Sequence, residues 1–165
     1  MIQKKICLLG AFSVGKTSLI KRYVDSIFEE KYLTTVGVKI DKKLVEIERQ
    51  KVMMMIWDLA GEDDFCKLQV SYLRGASGYI LVGDPTRPHT LDRLFCLHKK
   101  AQKNIGNIPA IIALNKHDLC NQWSLSFAHR EELEELQQPI LNTSAKTGDQ
   151  VQSLFIDLAT QMLSN

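Results

Sequence analysis

The densest chemistry in the chain lies in GAFSVGKTS, residues 10 to 18, where two glycines five positions apart are followed by a lysine and a threonine. Backbone N–H groups in such a loop turn inward beside a helix N-terminus, and together they attract phosphate oxygens. Ser13, Val14, Gly15, Lys16, Thr17 and Ser18 are therefore candidate phosphate contacts. Lys16 can bridge the outer phosphates, and the Thr17 hydroxyl can ligate Mg²⁺. DLAGEDDF, residues 58 to 65, raises a different question, because it crowds four acids around one glycine. A metal cluster, a pair of catalytic carboxylates, a charged turn and part of a phosphate site are all open from composition alone.

Two further stretches could address a base. Asn115, Lys116, His117 and Asp118 close one apolar run, and Thr143, Ser144, Ala145 and Lys146 close another. The Asp118 carboxylate can accept from both N1–H and the exocyclic amine of guanine, a donor pair that adenine lacks. A backbone N–H at Ser144 or Ala145 can reach the guanine oxygen, and the Lys146 stem can cover the ring. The expected ligand is GTP or GDP rather than ATP.

These groups need a scaffold that brings distant loops to one edge. Residues 2–9 read as a short strand and 16–25 as a helix with Leu19, Ile20, Tyr23 and Val24 on one side. Strands follow near 37–48 and 51–57, and the second contains VMMMIW, read as a buried strand rather than a Met-rich binding surface. Helical patterns near 65–74, 90–104, 127–137 and 149–163 are separated by the runs YILVGD, AIIALN and PILNTS. Strands alternating with helices imply a mainly parallel sheet covered on both faces, with ligands at the carboxyl ends of the strands. The polar residue closing each run is the place to look.

The whole-chain numbers fit one domain spanning residues 1–165. Hydrophobic residues make up 45% of 165, enough for one core. Lys and Arg number 21 against 19 acids, so the basic field of a nucleic-acid binder is missing. Cys7, Cys66, Cys96 and Cys120 are widely spaced and are expected to be reduced and packing. His89, His98, His117 and His129 lack paired ligand spacing and are expected on the surface or in loops. No apolar run approaches a membrane span, and the chain is expected to be cytoplasmic.

With GAFSVGKTS, NKHD and TSAK, and with TTVG at 34–37, WDLAGE at 57–62 and YLRGASGYILVGDPTRPHT at 72–90, nearly the whole chain resembles a Ras-superfamily small GTPase, closest to the Rab and Ras branch. The resemblance implies an α/β fold: a P-loop NTPase three-layer sandwich whose six-stranded, mostly parallel sheet has one antiparallel edge strand and five helices. It implies that Phe28 lies against the guanine, that Thr35 ligates Mg²⁺ and senses the γ-phosphate, and that Asp58 holds Mg²⁺ through water. The Gly61 N–H would meet the γ-phosphate, and Tyr32 matches an aromatic residue that closes over the nucleotide. Segments 30–40 and 60–74 would be switches that recognise protein effectors and regulators. Trp57 and Tyr72 match aromatic positions used toward effectors, with Ile40 where an aromatic would be expected. The chain is expected to be a monomer, and the final QMLSN holds no cysteine to prenylate.

Two residues depart from the family pattern. Glu62 stands where a glutamine orients the attacking water; a carboxylate only accepts hydrogen bonds and adds charge beside the γ-phosphate. Slow hydrolysis is the expectation, with the alternative that repulsion raises the Glu62 pKa enough to make it a general base. Phe12, beside Ser13, would crowd the approach of a partner's arginine finger unless it turns outward. Asp63 and Asp64 read as solvated acids at a helix start. Two functions follow: a slow Mg²⁺-dependent GTPase switch, in which Lys16, Thr35, Gly61 and Glu62 serve catalysis, or a hydrolysis-deficient module displaying one near-permanent surface.

Overall fold

The structure is a computed structural model and describes residues 1–28, 37–59 and 70–165. Strand β1 (Ile2–Leu9) runs into the glycine-rich loop and helix α1 (Lys16–Asp25). The hairpin β2 (Val38–Ile47) and β3 (Gln50–Leu59) follows, then β4 (Gly78–Gly83), α2 (His89–Ile105), β5 (Ala110–Leu114), α3 (Phe127–Glu135), β6 (Ile140–Asn142) and α4 (Val151–Ser164). The six strands lie in the order β2-β3-β1-β4-β5-β6. Only β2 is antiparallel to its neighbour; every other pairing is parallel.

Alternation along the strands sends side chains to two separate cores. Ile6, Leu8, Met54, Ile56, Ile80, Val82, Ile111 and Ala113 face α1 and α4. Cys7, Leu9, Tyr79, Leu81, Ala110, Ile112 and Leu114 face α2 and Leu133 of α3. A strand buried on both faces needs apolar residues at every position, which is why GYILVG and AIIAL contain no polar interruption. On the first face, Tyr23 of α1 stacks on Phe155 of α4 with centroids 4.2 Å apart. This is the expected three-layer sandwich.

β1 is central to the topology. The chain leaves it toward the hairpin on one side and returns through β4, β5 and β6 on the other, so the glycine-rich loop emerges where the strand order reverses. Crevices form at such points because the connections diverge.

Three expectations change in detail. VMMMIW is buried on alternate residues only: Val52, Met54 and Ile56 are core, whereas Met53, Met55 and Trp57 are partly exposed on the opposite face. Of the helix expected near 65–74, the described part is a single 3-10 turn over Val70–Leu73; residues 60–69 lie outside the described residues. The described helices are thus α1–α4 plus 3-10 turns at Val70–Leu73 and His117–Gln122.

His98 is buried rather than superficial. It continues the inward stripe of α2 after Leu91, Leu94 and Phe95, and its Nδ1 lies 2.9 Å from the Tyr79 hydroxyl, which satisfies it. Burial lowers its pKa from 6.5. Among the cysteines, Cys7 and Cys120 are free. Burial raises the Cys7 thiol to about 11, consistent with packing. Cys66 lies outside the described residues. Among the described residues, no helix is long and apolar enough to cross a membrane.

Candidate functional site

The glycine-rich loop has no room for extra atoms. A Cβ on Gly10 would stand 2.6 Å from the Val82 carbonyl oxygen of β4, and one on Gly15 would stand 2.2 Å from Asn115 Nδ2. Gly15 also adopts φ 103, where a side chain is strained. Asn115 explains the tight contact: its Nδ2 donates to the Val14 carbonyl at 2.9 Å, and its Oδ1 accepts from Thr143 at 3.1 Å. One asparagine therefore ties the phosphate loop to both loops proposed to read a base.

Lys16 opens α1 and is buried, and its ammonium donates to the carbonyls of Gly10 at 2.9 Å and Ala11 at 3.1 Å. The Thr17 hydroxyl, one residue on, donates to Asp58 Oδ2 at 2.5 Å. Asp58 is almost fully buried at the end of β3, positioned by pairing with Leu8 of β1. Ser18 follows in the first turn of α1 and is partly exposed. Hard oxygen donors on Thr17 and Asp58 beside an ammonium at the start of α1 fit a polyphosphate with a divalent cation.

At the other end of the edge, Asp118 Oδ1 accepts from the Ser144 hydroxyl at 2.8 Å, which fixes the carboxylate. Ser144 Oγ also accepts from the Thr147 N–H, so the hydroxyl is locked in turn. Ala145 is buried, while Asp118 and Lys146 are exposed. Phe28 is half-buried and packs against the core cluster that contains Ala145. Tyr32, Thr35, Gly61 and Glu62, together with Asp63 and Asp64, lie outside the described residues.

Part of the site was missed. Asp84, fully buried at the end of β4, receives bonds from the backbone N–H and hydroxyl of Thr86 on Oδ1. Its Oδ2 lies 2.7 Å from the Lys116 ammonium and 3.9 Å from Arg87. Lys116 then donates to the Ser13 carbonyl at 3.1 Å. Arg87 donates through both terminal nitrogens to the Phe12 carbonyl at 3.1 Å, and through one of them to Ser13 at 3.3 Å. Trp123 closes the region from behind, its indole donating to the Lys116 carbonyl at 3.0 Å. Asp84 obeys the rule that the polar residue closing each strand matters; Arg87, three residues into a loop, had no comparable signal.

The sequence has relatives among known proteins. A family model described as the Ras family matches residues 5–164. The human Ras-related protein Rab-30 is 36% identical over 162 residues, covering 97% of this chain and 80% of that protein. The Dictyostelium discoideum Ras-related protein RabJ is 34% identical over 166 residues, covering 99% of this chain and 65% of that protein. The Ras-related protein SEC4 of Saccharomyces cerevisiae is 32% identical over 156 residues, covering 94% and 73%.

Proposed function

The chain belongs to the Ras family of small GTPases, in its Rab and Ras branch, and from that premise we propose a slow switch that binds GTP or GDP with Mg²⁺ and hydrolyses GTP. The observation that supports this reading is the Ser144–Asp118 bond, which holds a carboxylate able to accept from guanine's donor pair, in company with the Gly15–Asn115 contact of the glycine-rich loop. Asp118 selects the base, Ala145 and Phe28 bound its pocket, and Lys146 covers it. Lys16 and the loop N–H groups stabilise charge on the outer phosphates. Thr17 and Thr35, with Asp58 through water, would hold Mg²⁺, which would supply charge neutralisation on the phosphates.

Segments 30–40 and 60–74 would present effectors with a surface that depends on the γ-phosphate, through Thr35 and Gly61. Glu62 sets the rate. Its carboxylate accepts a proton-bearing water but offers no donor to the γ-phosphate, and its charge opposes the charge building there. Phe12, half-buried in the phosphate loop, occupies space that an activating arginine would need. The same two residues favour the second reading, a GTP-binding module with negligible turnover.

Chromatography of the nucleotide released from purified protein, then single-turnover hydrolysis beside Glu62→Gln, separates these readings. Guanine nucleotide is expected, with the glutamine variant faster by about tenfold or more. A parent faster than Glu62→Gln makes Glu62 a general base and overturns the slow switch. A parent that leaves GTP intact supports the module, and adenine nucleotide defeats the role given to Asp118.

A further inference from the structure

We propose that Arg87 is a positioning residue for the phosphate loop, one that holds Ser13 in a backbone conformation a non-glycine residue resists. This inference rests on the guanine-nucleotide reading and adds a residue to its machinery. Ser13 sits at φ 61, in the left-handed region. Lys116, whose ammonium reaches the Ser13 carbonyl, sits at φ 64. Two strained residues therefore face each other across the back of the loop.

The carbonyls of Phe12 and Ser13 must point away from the phosphates for the following N–H groups to point toward them. A rotated peptide here would turn a carbonyl oxygen, the negative end of its dipole, into the cradle. Arg87 opposes that rotation from outside the loop. Its planar fork reaches the Phe12 carbonyl through both terminal nitrogens and the Ser13 carbonyl through one. A guanidinium so placed donates to both carbonyl oxygens at once.

The arginine is itself anchored. Its own N–H donates to the Asp84 carbonyl at 2.9 Å, its carbonyl accepts from the Thr90 hydroxyl at 2.8 Å, and its charge faces the buried Asp84 carboxylate. The same carboxylate orients Lys116. Asp84 thus holds two cations on one side, and both donate to the Ser13 carbonyl on the other. A glycine at position 13 would adopt the same backbone without strain and would need the arginine less.

A double-mutant cycle reads this dependence directly. Dissociation of a fluorescent GDP analogue in Mg²⁺ is measured for the parent, Arg87→Ala, Ser13→Gly and the double variant, with circular dichroism as a check on folding. Arg87→Ala is expected to speed dissociation on the order of tenfold or more, the scale of losing charge-assisted hydrogen bonds. The same change in the Ser13→Gly background is expected to have less than half that effect on a logarithmic scale. Arg87→Lys, which keeps charge and loses the fork, is expected to fall between parent and alanine, and it serves as the decisive variant if the alanine protein does not fold. Dissociation within twofold of the parent overturns the proposal, as does an equal effect of Arg87→Ala in both backgrounds. A parent that takes up no guanine nucleotide ends the functional reading as well, so the two failures are distinguishable.

Discussion

β4 and β5 are buried along their whole lengths, whereas β2, with ten residues, fully buries only Ile47. The parallel half of the sheet sends its strand ends into Asp84, Asn115 and Thr143, which bond the loops to one another. The hairpin half contributes Asp58 to the described site and keeps Ile40 and Leu44 exposed. Burial on both faces fixes where a strand ends, and a fixed end can aim a side chain. A strand with one solvated face can offer a surface instead, while its inner face holds register for a single carboxylate.

The sharpest break of that contrast is Gly15→Ala, in the parallel half. The added methyl meets Asn115 at 2.2 Å in a left-handed backbone. Nucleotide affinity measured by fluorescence titration is expected to fall about a hundredfold or more, since the strain and the displaced asparagine act together. Retained affinity would mean that the cradle is far softer than its contacts indicate.

Next in size is a comparison along one strand. Met54 is fully buried and its sulfur accepts from the Tyr23 hydroxyl at 3.5 Å. Met54→Ala is expected to cost about 2–5 kcal/mol of unfolding free energy in a urea titration. Leu44→Ser, on the exposed face of the neighbouring strand, is expected to cost no more than about 0.5 kcal/mol. Similar costs would erase the distinction between the two faces of the hairpin.

His98 gives an effect between those two. Its folded pKa lies below 6.5, because burial disfavours the imidazolium. The unfolded chain then binds more protons in acid, so the contribution of this histidine is intact above about pH 6.5 and is lost as pH falls below it. His98→Gln, which can still meet the Tyr79 hydroxyl, is expected to flatten the acid side of the stability profile. An unchanged slope would place the responsible proton elsewhere.

The sheet and the glycine loop were readable because each has a local pattern. Continuous apolar runs mark β4 and β5, and the spacing of Gly10, Gly15, Lys16 and Thr17 marks the cradle. The exposed face of β3 was not readable, since VMMMIW is apolar at both parities and burial depends on what lies opposite. His98 was misplaced for the same kind of reason: a polar residue on an inward stripe is acceptable only because Tyr79, 19 residues away, meets it. Asp84 could be singled out by position, but the reach of Arg87 to Phe12 spans 75 residues and leaves no periodicity. The bond from Ser144 to Asp118 is likewise a product of the fold, although both residues were legible from their motifs.

The shortest strand carries an unexpected kind of tolerance. β6 has three residues, yet the ladder continues past it: the Thr143 N–H donates to the Leu114 carbonyl, and the His117 N–H donates to the Thr143 carbonyl, each at 2.9 Å. Main-chain bonds, common to all residues but proline as donors, therefore set the distance between the two loops proposed to read the base. Side chains at Ile140, Leu141 and Asn142 can change while that distance stays. Deleting one of them cannot be absorbed in this way, because it would shift Ser144 off Asp118. In this part of the molecule, length is held more tightly than composition.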